Sequence, residues 1–492
     1  MIFQRLYCAA LNPLGRRAQK IGEKGREAIV ATTLLLLTIL YILDVFFEQI
    51  SGGDASQTFT YDPRVTMIIG SVLILITAVF SIEGELKPLK LRLPFVVIFC
   101  AAFALIFISG FFHYVGAGYR VFPLMMVFVF PALFLVWGNL PDPSRMYSLL
   151  ARAVCIAGLA IFVVTVLAVP DPDGGRYQGL TTNPNALGFS AVASVAGALY
   201  LLLTEKGRWL IPSAVCAAGN FGLLLLSESR SSLLCAFCVF LCAGAALIRG
   251  VQNEGTAKRR APRAAFIAVV LIMGFPLTQL AVQNPGLIKW NILPAISASP
   301  AEPIAVSGSP VVTATTVSPG SSAVSGAVSQ KGDSAVSDLS DRFPSKGESL
   351  NSFSSGRIAG WKVFLSKVTL TGTDPTSERI YVDGIFFQSA HNAPLDIAYS
   401  CGAFAGIFYL LILLGAFVFA LRKIFSGGLF SFHLLFPCIG ILSSFFIFML
   451  DVPILPFEST GALLFFLSLA PLVFFTKNDM PKTPVKEQGR TA

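Results

Sequence analysis

The sequence predicts an all-α polytopic membrane protein of about 12 transmembrane helices, and three observations predict it. Of 492 residues, 54% are hydrophobic and only 13% are charged, about half the ~25% usual for soluble domains. The mean hydropathy is +0.73. The apolar residues gather into runs long enough to cross a bilayer, which takes ~20 residues in helical form. This composition excludes an ordinary cytosolic enzyme, a disordered chain and a nucleic-acid binder.

Residues 1–27 form a basic segment, expected in the cytoplasm, with Arg5, Arg16, Arg17, Lys20, Lys24 and Arg26. The apolar run that follows is longer than the ~7–15 residues of a cleaved signal's core and is expected to stay as a helix. Nine spans are expected within 28–283, near 28–47, 65–82, 93–112, 121–137, 151–170, 185–203, 210–226, 231–248 and 265–283. Residues 284–394 make a large extracytoplasmic loop. Its 295–352 part is rich in Ser, Ala, Val and Pro and too poor in large apolar side chains to offset ordering entropy, so a flexible insert is expected. Its 355–394 part changes character: Ile358, Trp361, Phe364, Leu365 and Val368 recur at helical spacing opposite Lys362, Ser366 and Lys367, the pattern of an amphipathic helix in an ordered, functional segment. Three more spans, near 395–420, 430–449 and 459–476, occupy 395–476, and 477–492 form a basic tail.

Orientation follows from the cations. Placing both termini in the cytoplasm puts 24 Lys and Arg on cytoplasmic segments and only four, Arg64, Arg120, Arg176 and Arg230, in short outer loops. That asymmetry is the positive-inside pattern, from which long loops are exempt. The nine cysteines lie in or beside apolar segments, and the Cys235, Cys238, Cys242 trio has no histidine nearby, so small buried side chains are expected rather than disulfides or a metal site. Phosphate-binding glycine loops, zinc-protease motifs and serine-nucleophile motifs are all lacking, and no cofactor is expected.

The outer face is poor in cations, so its arginines need a reason. Arg230 sits in the short connection Ser227-Glu228-Ser229-Arg230, where a guanidinium close to the membrane boundary can bridge two phosphate oxygens; an interfacial ion pair with Glu228 or a lipid headgroup is the structural alternative. Arg176 lies in a glycine-rich loop that also fits a simple turn. Asn183-Pro184-Asn185 reads as a helix start with asparagine as cap. Among the three histidines, His113, His391 and His433, His391 stands out. It is followed by Asn392, precedes a span at the outer boundary, and carries an imidazole able to act as a general base.

The run His391-Asn392 followed by Gly402, preceded by Ser355-Gly356-Arg357 and Trp361, resembles the hallmark region of the O-antigen ligase and O-antigen polymerase superfamily. Thr182-Asn183-Pro184-Asn185 with Gly188, and Ser229-Arg230-Ser231, resemble its upstream landmarks, so the likeness runs over nearly the whole chain. The chain departs from the family pattern at Gly372-Thr373-Asp374, which has one glycine, at the late position of Gly406, and in the 295–352 insert.

The resemblance implies a multi-pass glycosyltransferase of the cytoplasmic membrane, with its site facing the periplasm or cell exterior. It would move a glycan from an undecaprenyl-diphosphate carrier to an acceptor hydroxyl, on a glycan, lipid or protein, in surface polysaccharide biosynthesis for the cell envelope. Arg230 and Arg357 are then expected on the diphosphate, His391 on the acceptor hydroxyl and Asn392 beside it, with Arg176, Asn183, Asn185, Arg379 and Asp383 in the surrounding pocket. The lipid diphosphate is itself a good leaving group, so no metal is required. Ligase and polymerase share these features. The rival class is a multi-pass transporter or lipid-linked glycan flippase, which usually carries charges near the midplane or two related halves; the spans here are nearly free of charge and show no repeat.

Overall fold

The computed structural model describes residues 2–50, 63–112, 118–169, 176–181, 183–205, 207–249, 257–283, 357–374, 380–382, 385–387, 389–426, 432–451, 455–457 and 459–474. The expected flexible insert and the tail after 476 lie outside them.

The protein is an all-α, multi-pass membrane protein. Among the described residues eight helices are long and apolar enough to cross a bilayer, and three shorter apolar helices, Arg64–Phe80, Leu434–Leu450 and Thr460–Val473, accompany them. In chain order the helices are α1 (Ile2–Ala18), α2 (Glu23–Ile50), α3 (Pro63–Phe80), α4 (Leu93–Phe112), α5 (Gly118–Leu124), α6 (Phe130–Asn139), α7 (Ser144–Ala168), α8 (Pro184–Thr204), α9 (Leu210–Ser227), α10 (Arg230–Arg249) and α11 (Ala257–Gln283). Then come α12 (Arg357–Ser366), a short antiparallel hairpin of β1 (Ile380–Val382) and β2 (Ile385–Phe387), α13 (Ala393–Cys401), α14 (Ala403–Phe425), α15 (Phe432–Leu442), α16 (Phe445–Leu450), α17 (Thr460–Leu467) and α18 (Ala470–Val473).

Helix α8 is the axis of the bundle, with 94% of its most apolar window buried, whereas α11 is only 22% buried. Small residues explain the difference. A Cβ on Gly197 would stand 2.9 Å from Val154, and one on Gly158 2.5 Å from Ser194, so α7 and α8 approach at backbone distance, as membrane helices do when dispersion rather than the hydrophobic effect holds them together. On α11, Val269, Ile272, Met273 and Leu277 point outward, toward what is hydrocarbon in a membrane.

The two ends of α8 mark the two ends of the molecule, about 31 Å apart at ~1.5 Å per residue. At the end near Thr204, Arg152 pairs with Glu205 at 2.7 Å, Arg263 donates to the Leu203 carbonyl at 2.9 Å, and Arg145 pairs with Glu23 and Glu27 at 2.6 and 2.7 Å. The other end, at Pro184, holds the cluster described below.

The expected spans 430–449 and 459–476 are each divided into two helices, at Ser443-Ser444 and Ser468-Leu469, and three further elements differ from their sequence expectation. The basic N-terminal segment contains a helix, α1, whose Gln4, Cys8, Leu11, Gly15 and Ala18 are buried. It docks at a break in the neighbouring span: Pro131 has no N–H to give the Val127 carbonyl, the chain opens into a π turn over Met125–Val129, and the Tyr7 hydroxyl donates to Val127 O and Phe128 O at 3.3 and 3.0 Å. Leu365 is exposed rather than part of a buried stripe, and α12 ends at Ser366, before Val368. The run 395–420 is not one helix. Gly402, at φ +102°, separates α13 from α14, and the Thr369 carbonyl accepts the Ala403 N–H at 2.9 Å across the gap.

Candidate functional site

The end of the bundle near Pro184 is built from three helix starts and one helix end. Asn183 caps α8 by accepting the Ala186 N–H at 2.9 Å. Asn392 caps α13 by accepting the Leu395 N–H at 3.0 Å, and its amide donates to the Met449 carbonyl at 2.8 Å, which ties α13 to the last turn of α16. The third start is that of α10 at Arg230. It follows α9 after only Glu228 and Ser229, because Glu228 takes a left-handed conformation at φ +51°. The connection packs directly on α8: a Cβ on Gly188 would stand 2.7 Å from Ser229 Cβ and 2.8 Å from Ser232 Oγ.

These starts surround a carboxylate that the sequence reading missed, Asp451, which follows α16 and is 9% exposed. Its Oδ1 lies 3.3 Å from His391 Nδ1. Its Oδ2 accepts from Asn185 Nδ2 at 3.2 Å and lies 3.8 Å from Arg357 Nη2. Arg357 also donates to the carbonyl of Leu450, and Arg176 donates to Asn185 Oδ1 at 2.9 Å. Asn185, Arg357 and His391 thus meet at one carboxylate, with Arg176 joined to it through Asn185, although 266 residues separate Asn185 from Asp451.

The arrangement has a chemical direction. An ionised carboxylate only accepts hydrogen bonds, so it fixes the Nδ1–H tautomer of a neutral imidazole and leaves Nε2 with its lone pair. The imidazole is more open than the two groups beside it: its side chain is 41% exposed, against 23% for that of Arg357 and 12% for that of Asp451. A base is therefore presented outward from a buried carboxylate that also faces the Arg357 guanidinium.

The His391 turn is held from behind. The Trp361 indole N–H donates to the Ala390 carbonyl at 2.7 Å, and Phe364 stacks edge-on against Tyr399 at 5.2 Å, so α12 clasps the turn and α13. Asp396, 7% exposed, accepts the Ala390 N–H at 2.7 Å and the Asn392 N–H at 3.4 Å. Burial pushes its carboxyl up to about 6, against those two N–H groups and His391, which pull it down.

Of the other expected site residues, Arg230 is exposed at the start of α10, set beside α8 by the Gly188 contact. Asn183 acts as a helix cap. Arg379 and Asp383 lie outside the described residues, as do His113 and the side chain of His433. The described side chains contain no group of three or more His, Cys, Asp or Glu able to hold a metal.

The fold and this cluster define a class: a polytopic α-helical membrane protein with a histidine, carboxylate and arginine network at one end of its bundle. Comparisons with protein-family models, curated proteins and solved structures return no match to this chain.

Proposed function

We propose that the protein is a membrane glycosyltransferase of the O-antigen ligase or polymerase kind. It moves a glycan from an undecaprenyl-diphosphate carrier to an acceptor hydroxyl at the outer face of the cytoplasmic membrane. In this reading the chain crosses twelve times with both termini in the cytoplasm, and the Pro184 end of α8 faces out. One observation carries the reading: Asn185, Arg357 and His391, far apart in the sequence, meet at Asp451, and Arg176 joins them through Asn185.

Nε2 of His391 takes the acceptor proton as the acceptor oxygen attacks the anomeric carbon. The bond from that carbon to the phosphate oxygen breaks, and the electron pair leaves with the lipid diphosphate. Preorganised cations stabilise the charge that develops there: Arg357 through the N–H groups it does not spend on Leu450 and Asp451, and Arg230 from the α10 start. Attack opposite the leaving group inverts the anomeric carbon. His391 supplies the base and the donor supplies the leaving group, so no cofactor enters.

The test is the glycan profile of cells lacking the protein, complemented with wild type or His391→Ala. Accumulated single lipid-linked repeats indicate a polymerase, and long lipid-linked chains beside an unmodified acceptor indicate a ligase. An unchanged profile in the deletion strain overturns the reading and favours transport.

A further inference from the structure

The proposed reaction does not use Asp396, yet this carboxylate is the most deliberately placed group behind the site. Its two oxygens accept the N–H groups of Ala390 and Asn392, the residues on either side of His391. His391 itself stands at φ +51°, in the left-handed region that favours glycine and strains a residue bearing a side chain. The Asn392 side chain already caps α13, so Asp396 is not needed to start the helix. What it holds is the left-handed bend, and that bend directs the imidazole toward Asp451.

Resting on the glycan-transfer reading, we propose that Asp396 is a positioning residue: its ionised carboxylate holds the turn that presents His391 to Asp451, and its protonation releases that turn and lowers transfer. Burial places the change near pH 6, since the carboxyl is pushed up to about 6. The groups that face Asp396 allow this. His391 draws its pKa down and Asp451 drives it up. Helix α12 brings Arg357, committed toward Asp451, and the exposed Lys362. Helix α4 carries Cys100 but no charged residue, and the cations of α14, Arg422 and Lys423, sit in its last turn, away from α13, with Tyr409 nearer.

The experiment compares wild type with Asp396→Asn in nanodiscs, by two readouts across about pH 5 to 7.5. Asparagine keeps one acceptor for Ala390 but sets an amide against the Asn392 N–H. The first readout is the rate of diethylpyrocarbonate labelling at His391, resolved by peptide, with no donor present. Each rate is divided by the fraction of neutral imidazole found for that protein from its own pH profile, because the charge of Asp396 acts on His391. We expect a ratio several-fold above one at about pH 7.5, falling toward one at about pH 5, where wild-type Asp396 is also protonated. A ratio of one throughout overturns the proposal.

The second readout is turnover of a lipid-linked glycan donor. Wild type should lose kcat below about pH 6, and the variant should lose up to about 10²-fold in kcat at neutral pH with KM little changed and that acid limb gone. Wild type that turns over no such donor overturns the glycan-transfer reading, while the labelling ratio still decides the role of Asp396. Should Asp396→Asn not reach the membrane, Asp396→Glu, which keeps the charge but displaces it by a methylene, carries the same labelling test.

Discussion

His391 Nδ1 lies 3.3 Å from Oδ1 of Asp451, a residue 60 positions later in the chain. The pair fixes which ring nitrogen holds the proton, and Asp451 also receives Asn185 and faces Arg357. Removing its charge therefore disturbs three partners at once.

For Asp451→Asn we expect a loss of donor turnover of about 10²-fold or more, because the amide no longer selects the imidazole tautomer and no longer offsets Arg357. The matching measurement is turnover by purified protein at equal membrane abundance. Retention of wild-type kcat would refute the role given to Asp451.

Stability should carry the mark of Asp396. Its carboxyl, raised by burial from an ordinary 3.8 to about 6, binds its proton more tightly in the folded state than in the unfolded. The sign follows: this contribution to stability is fully present at low pH and is lost as pH rises from about 4 to 6. At neutral pH the ionised group costs up to about 3 kcal/mol. Asp396→Asn should thus lose less of its thermal midpoint than wild type between about pH 4 and neutral pH. Thermal unfolding of both proteins at acid and neutral pH measures it; an equal change of midpoint with pH in the two proteins contradicts the assignment.

Gly188 is the contact through which α8 sets the position of Arg230. A methyl there would stand 2.7 Å from Ser229 Cβ, so the connection between α9 and α10 must shift. Gly188→Ala is expected to raise KM for the lipid-linked donor several-fold, because Arg230 moves relative to Asn185. Unaltered donor kinetics would separate Arg230 from the site.

Tyr7 supplies the hydrogen bond that Pro131 denies to the Val127 carbonyl. Tyr7→Phe should lower stability by about 1 kcal/mol, the net worth of a typical hydrogen bond, and leave donor turnover unchanged, since the hydroxyl bonds Val127 O and Phe128 O and no member of the Asp451 cluster. A thermal shift series together with turnover checks both halves of the expectation.

Much of the helical layout was legible in the sequence, because a helix that crosses hydrocarbon must satisfy its backbone internally and expose apolar side chains. The runs 93–112, 210–226 and 231–248 correspond to Leu93–Phe112, Leu210–Ser227 and Arg230–Arg249. The cap at Asn183 was local as well, bonding an amide three residues on; Asn392, expected beside the acceptor hydroxyl, caps α13 in the same way. Helix α1 was less legible, since its burial depends on a carbonyl released by Pro131, more than a hundred residues away.

Composition, run length and cation placement determined that this is a multi-pass α-helical membrane protein, and short motifs singled out Arg176, Asn185, Arg357 and His391. Only the tertiary structure decided that Asn185, Arg357 and His391 share Asp451, with Arg176 reaching it through Asn185, and that Asp396 accepts the N–H groups on either side of His391. The reason is physical. Hydropathy and capping act within a turn or a span and leave a periodic trace, whereas a carboxylate's partners depend on where distant helices end, and an acid after an apolar run looks in sequence like any other boundary residue. Once close packing of α8 brings the ends of α9, α13 and α16 together, the charges they carry must find one another.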